Sequence, residues 1–236
     1  MGLPFFYIKV FDPSQKQIVL DEETSKHIVQ VLRMQNGEKV HLTDGKGNLI
    51  KAVITTANKK HCEVRVEEIR HKGQGTRKIT IGISLLKNTN RFEWFLEKAT
   101  EIGVTEIIPL ICERTEKEKF RHERMKGILI SAMLQSQQCW LPILHEPVQF
   151  EDVIMRQFDN YRKLIAHCAE GIKQSVHNLQ IDTSAHCHIC IGPEGDFTKE
   201  EIALALKNDF IPVSLGETRL RTETAGVVAA ALLMQL

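Results

Sequence analysis

The sequence contains no apolar run near the ~18 residues that a membrane-spanning helix requires, and aromatic side chains occupy only 6% of its 236 positions. The first shortage excludes a helical membrane protein. An excess of one charge is lacking too, because 31 lysines and arginines face 30 aspartates and glutamates. Uniform attraction to a polyanion is therefore not announced, and a nucleic-acid partner must meet local basic patches. The opening Met1-Gly-Leu-Pro-Phe-Phe-Tyr has no charged start, apolar middle or small-residue cleavage site of a secretory leader, and Phe6 stands where an N-myristoylation signal needs serine or threonine. The expectation is a cytoplasmic protein with reduced cysteines. The composition, 42% hydrophobic and 26% charged, is that of a chain with a packed core, which excludes disorder.

The balance of charge hides a gradient. Residues 1–72 carry a net +3, residues 160–236 a net −2, and the middle is neutral. Hydrophobic rhythm changes along the chain as well. From Phe5 to Ile69 the pattern is mostly strand, with apolar alternation in Lys39-Val-His-Leu-Thr, Ile50-Lys-Ala-Val-Ile-Thr and Cys62-Glu-Val-Arg-Val-Glu-Glu-Ile. Asp44-Gly-Lys-Gly47 is a hairpin signal, and acidic Asp21-Glu-Glu23 introduces a short helix expected over Thr24–Arg33. A small β-rich, barrel-like domain over residues 1–71 follows from these segments, with His71-Lys-Gly-Gln-Gly-Thr76 as a connector.

Beyond Arg77 strands alternate with helices, so a second domain is expected over 77–236. The expected strands are Ile79–Leu86, Glu106–Cys112, Arg162–Ala166, Cys187–Ile191 and Ile211–Leu215; the expected helices are Arg91–Ile102, Phe120–Gln138, Lys199–Lys207 and Glu223–Leu236. Such alternation predicts an α/β fold, a parallel sheet with helices on both faces and ligands at the carboxyl ends of the strands.

Two segments concentrate the chemistry. Ile191-Gly-Pro-Glu-Gly-Asp-Phe-Thr198 joins a strand to a helix whose N-cap is Thr198, with Glu201 at capping-box spacing. It has neither the lysine of a Walker loop nor the three glycines of the dinucleotide fingerprint. Val213-Ser-Leu-Gly-Glu-Thr-Arg-Leu-Arg-Thr-Glu-Thr-Ala-Gly226 makes a second strand-to-helix loop, in which Arg219 and Arg221 are suited to phosphate or a developing oxyanion. Cys187-His-Ile-Cys190 is a lone Cys-x-x-Cys in an apolar run; a closed zinc site needs four ligands, so no metal is expected.

These two loops, with Glu97-Lys-Ala-Thr-Glu-Ile-Gly-Val-Thr-Glu-Ile-Ile-Pro-Leu110, Glu113-Arg114, Gln135-Ser136 and Leu141-Pro142, closely resemble the RsmE-type rRNA uridine-N3 methyltransferases of the SPOUT superfamily. The likeness spans nearly the whole chain, since the front domain, with His27 and Leu32-Arg33, resembles that family's PUA-like RNA-binding barrel. Leu134 and Gln138 depart from the family, which often has glutamate and arginine there. The resemblance implies a C-terminal deep trefoil knot, a homodimer, S-adenosyl-L-methionine as cofactor, and methylation of N3 of the uridine at position 1498 of 16S rRNA in the small ribosomal subunit. It implies a cofactor site made by His167, Ile191, Gly192, Pro193, Glu194, Gly195, Leu215, Gly216, Leu220, Thr222 and Thr224.

Uridine N3 carries a proton at neutral pH, so its methylation needs a proton acceptor and a cation for the charge spread over the flanking carbonyls. Arg221 is the expected cation, and Glu194 or Glu223 the acceptor; the sequence does not choose between them. Lys9, Arg33, Lys87 and Arg91 are candidate RNA contacts, because phosphate binding needs lysine or arginine. Two other readings share these features: a ribose 2′-O-methyltransferase of the same superfamily, and a non-catalytic RNA-binding factor for ribosome assembly.

Overall fold

The computed structural model describes residues 2–116, 119–158, 160–179 and 185–235, the His177 side chain excepted; Leu236, the expected end of the last helix, lies outside them. The chain forms two compact units, Met1–Gln74 with Met133–Leu141, and Gly75–Ala132 with Pro142–Leu236.

In the first unit, β1 (Phe5–Tyr7), β2 (Gln17–Val19), β3 (Lys39–Thr43), β4 (Asn48–Thr56) and β5 (Glu63–His71) form one sheet in the order β1-β3-β4-β5-β2. The β1–β3 pair is parallel and the others antiparallel. Inward residues of the alternating strands, among them Val40, Leu42, Ile50, Ile54 and Val64, close over Phe6 and Ile28 in an apolar core. The helix begins earlier than its apolar spacing suggests. Asp21 accepts a hydrogen bond from the Thr24 amide at 2.8 Å, so α1 runs over Glu22–Lys26. It then widens into a π-helical turn, His27–Val31, which buries Ile28 completely and leaves Val31 exposed. The β3–β4 hairpin bends at Gly45 and Gly47, both at positive φ. A Cβ on Gly47 would stand 2.6 Å from the Trp140 ring, whose indole N–H donates to the Lys72 carbonyl at 2.8 Å. Segment 133–141 is thereby stitched into this unit.

The second unit is built on β6 (Ile79–Ser84), α2 (Thr89–Ile102), β7 (Glu106–Ile111), α3 (His122–Gln135, which ends in the first unit), β8 (Ile143–Leu144), β9 (Val148–Gln149) and α4 (Phe150–Ile154). There follow β10 (Tyr161–Ala166), β11 (Gln174–Ser175), β12 (His186–Ile191), α5 (Lys199–Lys207), β13 (Ile211–Ser214) and α6 (Thr222–Gln235). Every pairing in the sheet is parallel, in the order β11-β13-β10-β12-β6-β7-β8, with β9 also on β7. Both faces are covered, which is why the strands are apolar almost throughout. On one face Ile108, Leu110, Ile165 and Cys190 pack against Phe150, Val153, Ile202 and Ala205 of α4 and α5. On the other, α6 lies against α2, β6 and β12, and Gly226 lets α6 approach Phe95 and Ile83.

Candidate active site

Three strands end level. Ala166 of β10 pairs with Ile191 of β12 and with Val213 of β13, so the loops that leave them emerge side by side. Together they wall a cavity of about 780 Å³, the size of a small-molecule site.

Local chemistry fixes each loop. A Cβ on Gly192 would lie 3.0 Å from the Phe197 ring and 3.2 Å from its amide, so any side chain at the strand exit would have to push Phe197 back by a few tenths of an ångström. The Gly192 carbonyl accepts from the Thr222 hydroxyl at 3.0 Å, which joins the two loops directly. Asp196 adopts φ +63° and accepts from the Cys168 amide at 2.8 Å, tying the Gly-Pro-Glu-Gly turn to the end of β10. Thr198 and Glu201 form the expected capping box at α5, and the second oxygen of Glu201 accepts from the Glu113 amide at 2.9 Å. Gly216, at φ +151°, turns the second loop.

Charge inside the site centres on Arg91 at the start of α2. Its Nη1 lies 3.2 Å from Glu194 Oε1 and its Nε 3.7 Å from Glu223 Oε1. Glu223 Oε2 is buried without a hydrogen-bond partner among the described residues, and so is His167 Nδ1. Burial, then nearby Lys173, holds the His167 imidazole below its usual pKa and so neutral at pH 7.

His167, Ile191, Gly192, Pro193, Glu194, Leu215, Gly216, Leu220, Arg221 and Thr222 line the cavity. Gly195 and Thr224 are not on its wall: the Gly195 carbonyl accepts from Arg114 Nη1, and Thr224 is half-buried in α6. Glu223 stands behind Arg91, buried. Arg91 lines the cavity, whereas Lys87 is exposed and paired with Glu116 at 2.6 Å. Lys9 and Arg33 are exposed in the first unit. Cys187 and Cys190 are buried in β12 three residues apart, hence on opposite faces of the strand, and do not converge on one point. Asp196 and Arg114 stand in the motifs that carry the family resemblance but drew no site role from the sequence; for Asp196, an aspartate following a glycine before a helix was the available signal.

The residues present fit S-adenosylmethionine: a neutral buried imidazole nitrogen awaits a partner, and turned backbone at 192–194 and 215–220 offers amides and carbonyls around a cavity of matching size.

Comparison with known proteins agrees with this geometry. The model of the RNA methyltransferase domain matches residues 74–234, and that of the RNA methyltransferase PUA domain matches 20–67. The ribosomal RNA small subunit methyltransferase E of Aquifex aeolicus is 31% identical over 222 residues, covering 92% of this chain and 93% of that protein. A protein of Porphyromonas gingivalis described as a probable rRNA-methyltransferase superposes with a TM-score of 0.92 at 39% identity, over 99% of this chain and 98% of the other. The methyltransferase E of Neisseria gonorrhoeae, solved bound to S-adenosyl methionine, gives a TM-score of 0.89 at 28% identity, over 99% and 98% of the two chains. With both units matched and both loops meeting in one cavity, the chain belongs to the family of ribosomal RNA small subunit methyltransferases E.

Proposed function

We propose that the chain methylates N3 of a uridine, the one at position 1498 that the family resemblance implies, in 16S rRNA of the small ribosomal subunit. The observation that carries this reading is the cavity at the ends of β10, β12 and β13, walled by the two loops that mark the family. S-adenosylmethionine supplies a methyl group on a positively charged sulfur. The protein's task is to orient, exclude water and manage one proton.

Backbone at Gly192, Leu215, Gly216 and Leu220, with the His167 nitrogen, would hold the cofactor. Arg221 lies exposed on the wall, free to reach an incoming base and to stabilise charge on its carbonyls. The first unit would act as the RNA-binding module: a PUA-domain model matches there, and Lys9 and Arg33 present their charges to solvent. Lys87 would add a contact from the second unit. The trefoil knot in this reading rests on the family resemblance. The family resemblance also supports a cytoplasmic homodimer; no helix among the described residues is long and apolar enough to cross a membrane.

The test is to incubate the protein with methyl-labelled S-adenosylmethionine and small subunits lacking the modification, then to digest the RNA. Label in 3-methyluridine is expected. Label in a 2′-O-methyl nucleoside would replace the target, and absence of label would favour a non-catalytic RNA-binding role.

A further inference from the structure

We propose that Glu194 is the group that takes the uridine N3 proton, and that Glu223 acts through Arg91 as a positioning residue rather than on the base. This rests on the methyl-transfer reading above and decides between two carboxylates that the sequence leaves equivalent.

The two differ in access. Glu194 belongs to the cavity wall and its side chain is 38% exposed. Glu223 is 8% exposed and lies off the wall, with the Nε of the wall residue Arg91 3.7 Å from its Oε1. A proton acceptor must come within hydrogen-bond reach of the proton it removes. Of these two carboxylates, Glu194 is the one on the wall, where a base in the cavity can reach it.

Glu223 has a different use. It sits in the first turn of α6, where a negative charge is favoured by the helix dipole, and it holds Arg91 from behind. Arg91 carries a long side chain that would otherwise fold down on Glu194 in a two-pronged pair and occupy both of its oxygens. Shared between two carboxylates, the guanidinium engages Glu194 at Oε1 alone. Oε2 is left for the substrate. Other charges near Glu194 are Lys87, whose field reaches it, Arg114, bonded to the Gly195 carbonyl, and, on the same cavity wall, Lys173, Asp196, Glu217, Arg219 and Arg221.

The step balances. The N3–H bond breaks and its proton goes to Glu194; the N3 electron pair forms the N–CH3 bond while the S–CH3 bond breaks with its pair left on sulfur. The products are 3-methyluridine, the thioether S-adenosylhomocysteine and a protonated Glu194, which returns its proton to water.

The experiment begins by identifying the nucleoside that wild type labels; failure to form 3-methyluridine would overturn the methyl-transfer reading itself, independently of the carboxylates. Single-turnover rates are then followed against pH for Glu194→Gln, Glu223→Gln, Arg91→Ala, Arg91→Lys and the pair Glu223→Gln/Arg91→Ala. Calorimetric affinity for S-adenosylhomocysteine and thermal melting serve as checks of folding. Glu194→Gln should lose about 10²–10⁴ in rate near neutrality, with the deficit shrinking toward alkaline pH, where uridine sheds the proton unaided. Its product affinity should fall by far less than its rate, because the substitution keeps the backbone of the turn; an affinity loss as large as the rate loss would overturn the proposal. Glu223→Gln should lose roughly tenfold with the wild-type pH profile retained, the pair should be no slower than Arg91→Ala alone, and Arg91→Lys should recover part of the loss. A Glu194→Gln enzyme at wild-type rate, or with a deficit that ignores pH, would overturn the proposal. So would alkaline recovery in Glu223→Gln, which would move the acceptor to Glu223.

Discussion

Arg114, just beyond the end of β7, donates from Nη1 to the carbonyl of Gly195 at 2.6 Å, so the turn that walls the cofactor cavity is strapped from outside it. Arg114→Ala removes a charge-assisted bond at an exposed position, worth about 1 kcal/mol. The expected result is a roughly fivefold weaker affinity for S-adenosylmethionine by calorimetric titration, with the melting midpoint within about 2 °C of wild type.

Gly216 poses the opposite problem, one of backbone alone. It adopts φ +151° with nothing within 4 Å of a built Cβ, so Gly216→Ala has no clash, only a strained dihedral. Strain of about 1–3 kcal/mol in that loop should raise the dissociation constant for the cofactor about tenfold. Gly37, at φ +90° and equally open, lies in the first unit. Gly37→Ala should lower stability and leave that constant unchanged.

At Gly226 packing decides. An added Cβ would stand 2.6 Å from the Phe95 ring and 2.9 Å from Ile83, both fully buried. Gly226→Ala forces α6 off α2 at about 1–3 kcal/mol, which differential scanning calorimetry should record as a midpoint lowered by roughly 3–8 °C.

Acid sensitivity has a named source. His188 is wholly buried in β12 against Phe158 and Phe210, and burial pushes its pKa from 6.5 down to about 3. The folded state keeps it neutral while the unfolded chain protonates it, so its contribution is fully present above pH 6.5 and is lost as pH falls from there toward about 3. Urea titrations should show this residue costing the fold about 1.5 kcal/mol between pH 6.5 and about pH 5. His188→Leu should flatten that decline; an unchanged slope would assign the sensitivity elsewhere.

Local chemistry was written plainly in the sequence. The capping box of Thr198 and Glu201, the glycine turns of the β3–β4 hairpin and the apolar strands of the second unit all depend on neighbours a few residues apart. Features set by the long-range path were not. Strands as short as β8, β9 and β11 have two residues each and leave no periodic trace. Met133–Leu141 joins the first unit because Trp140 finds a bare glycine to rest on, a partner some ninety positions away in the sequence. Arg91 read as a surface cation suited to phosphate, since a lone arginine before a helix looks solvated; only the course of α2 brings it between Glu194 and Glu223. Likewise two glutamates of equal promise became unequal once one was found on the wall and the other behind it.

The place of β12 in its sheet bears on how the protein is made. Its neighbours β6 and β10 are both synthesised earlier, yet β12 lies between them and pairs with each along its length. A nascent chain that has emerged only as far as β11 therefore holds two apolar strands whose facing edges have no mutual partner, and the central slat arrives late. Pairing across such sequence distances is slow to form. During that interval the exposed edges invite wrong strands or another chain. Translation pauses or truncations upstream of residue 186 should thus yield aggregation rather than a smaller, partly active enzyme.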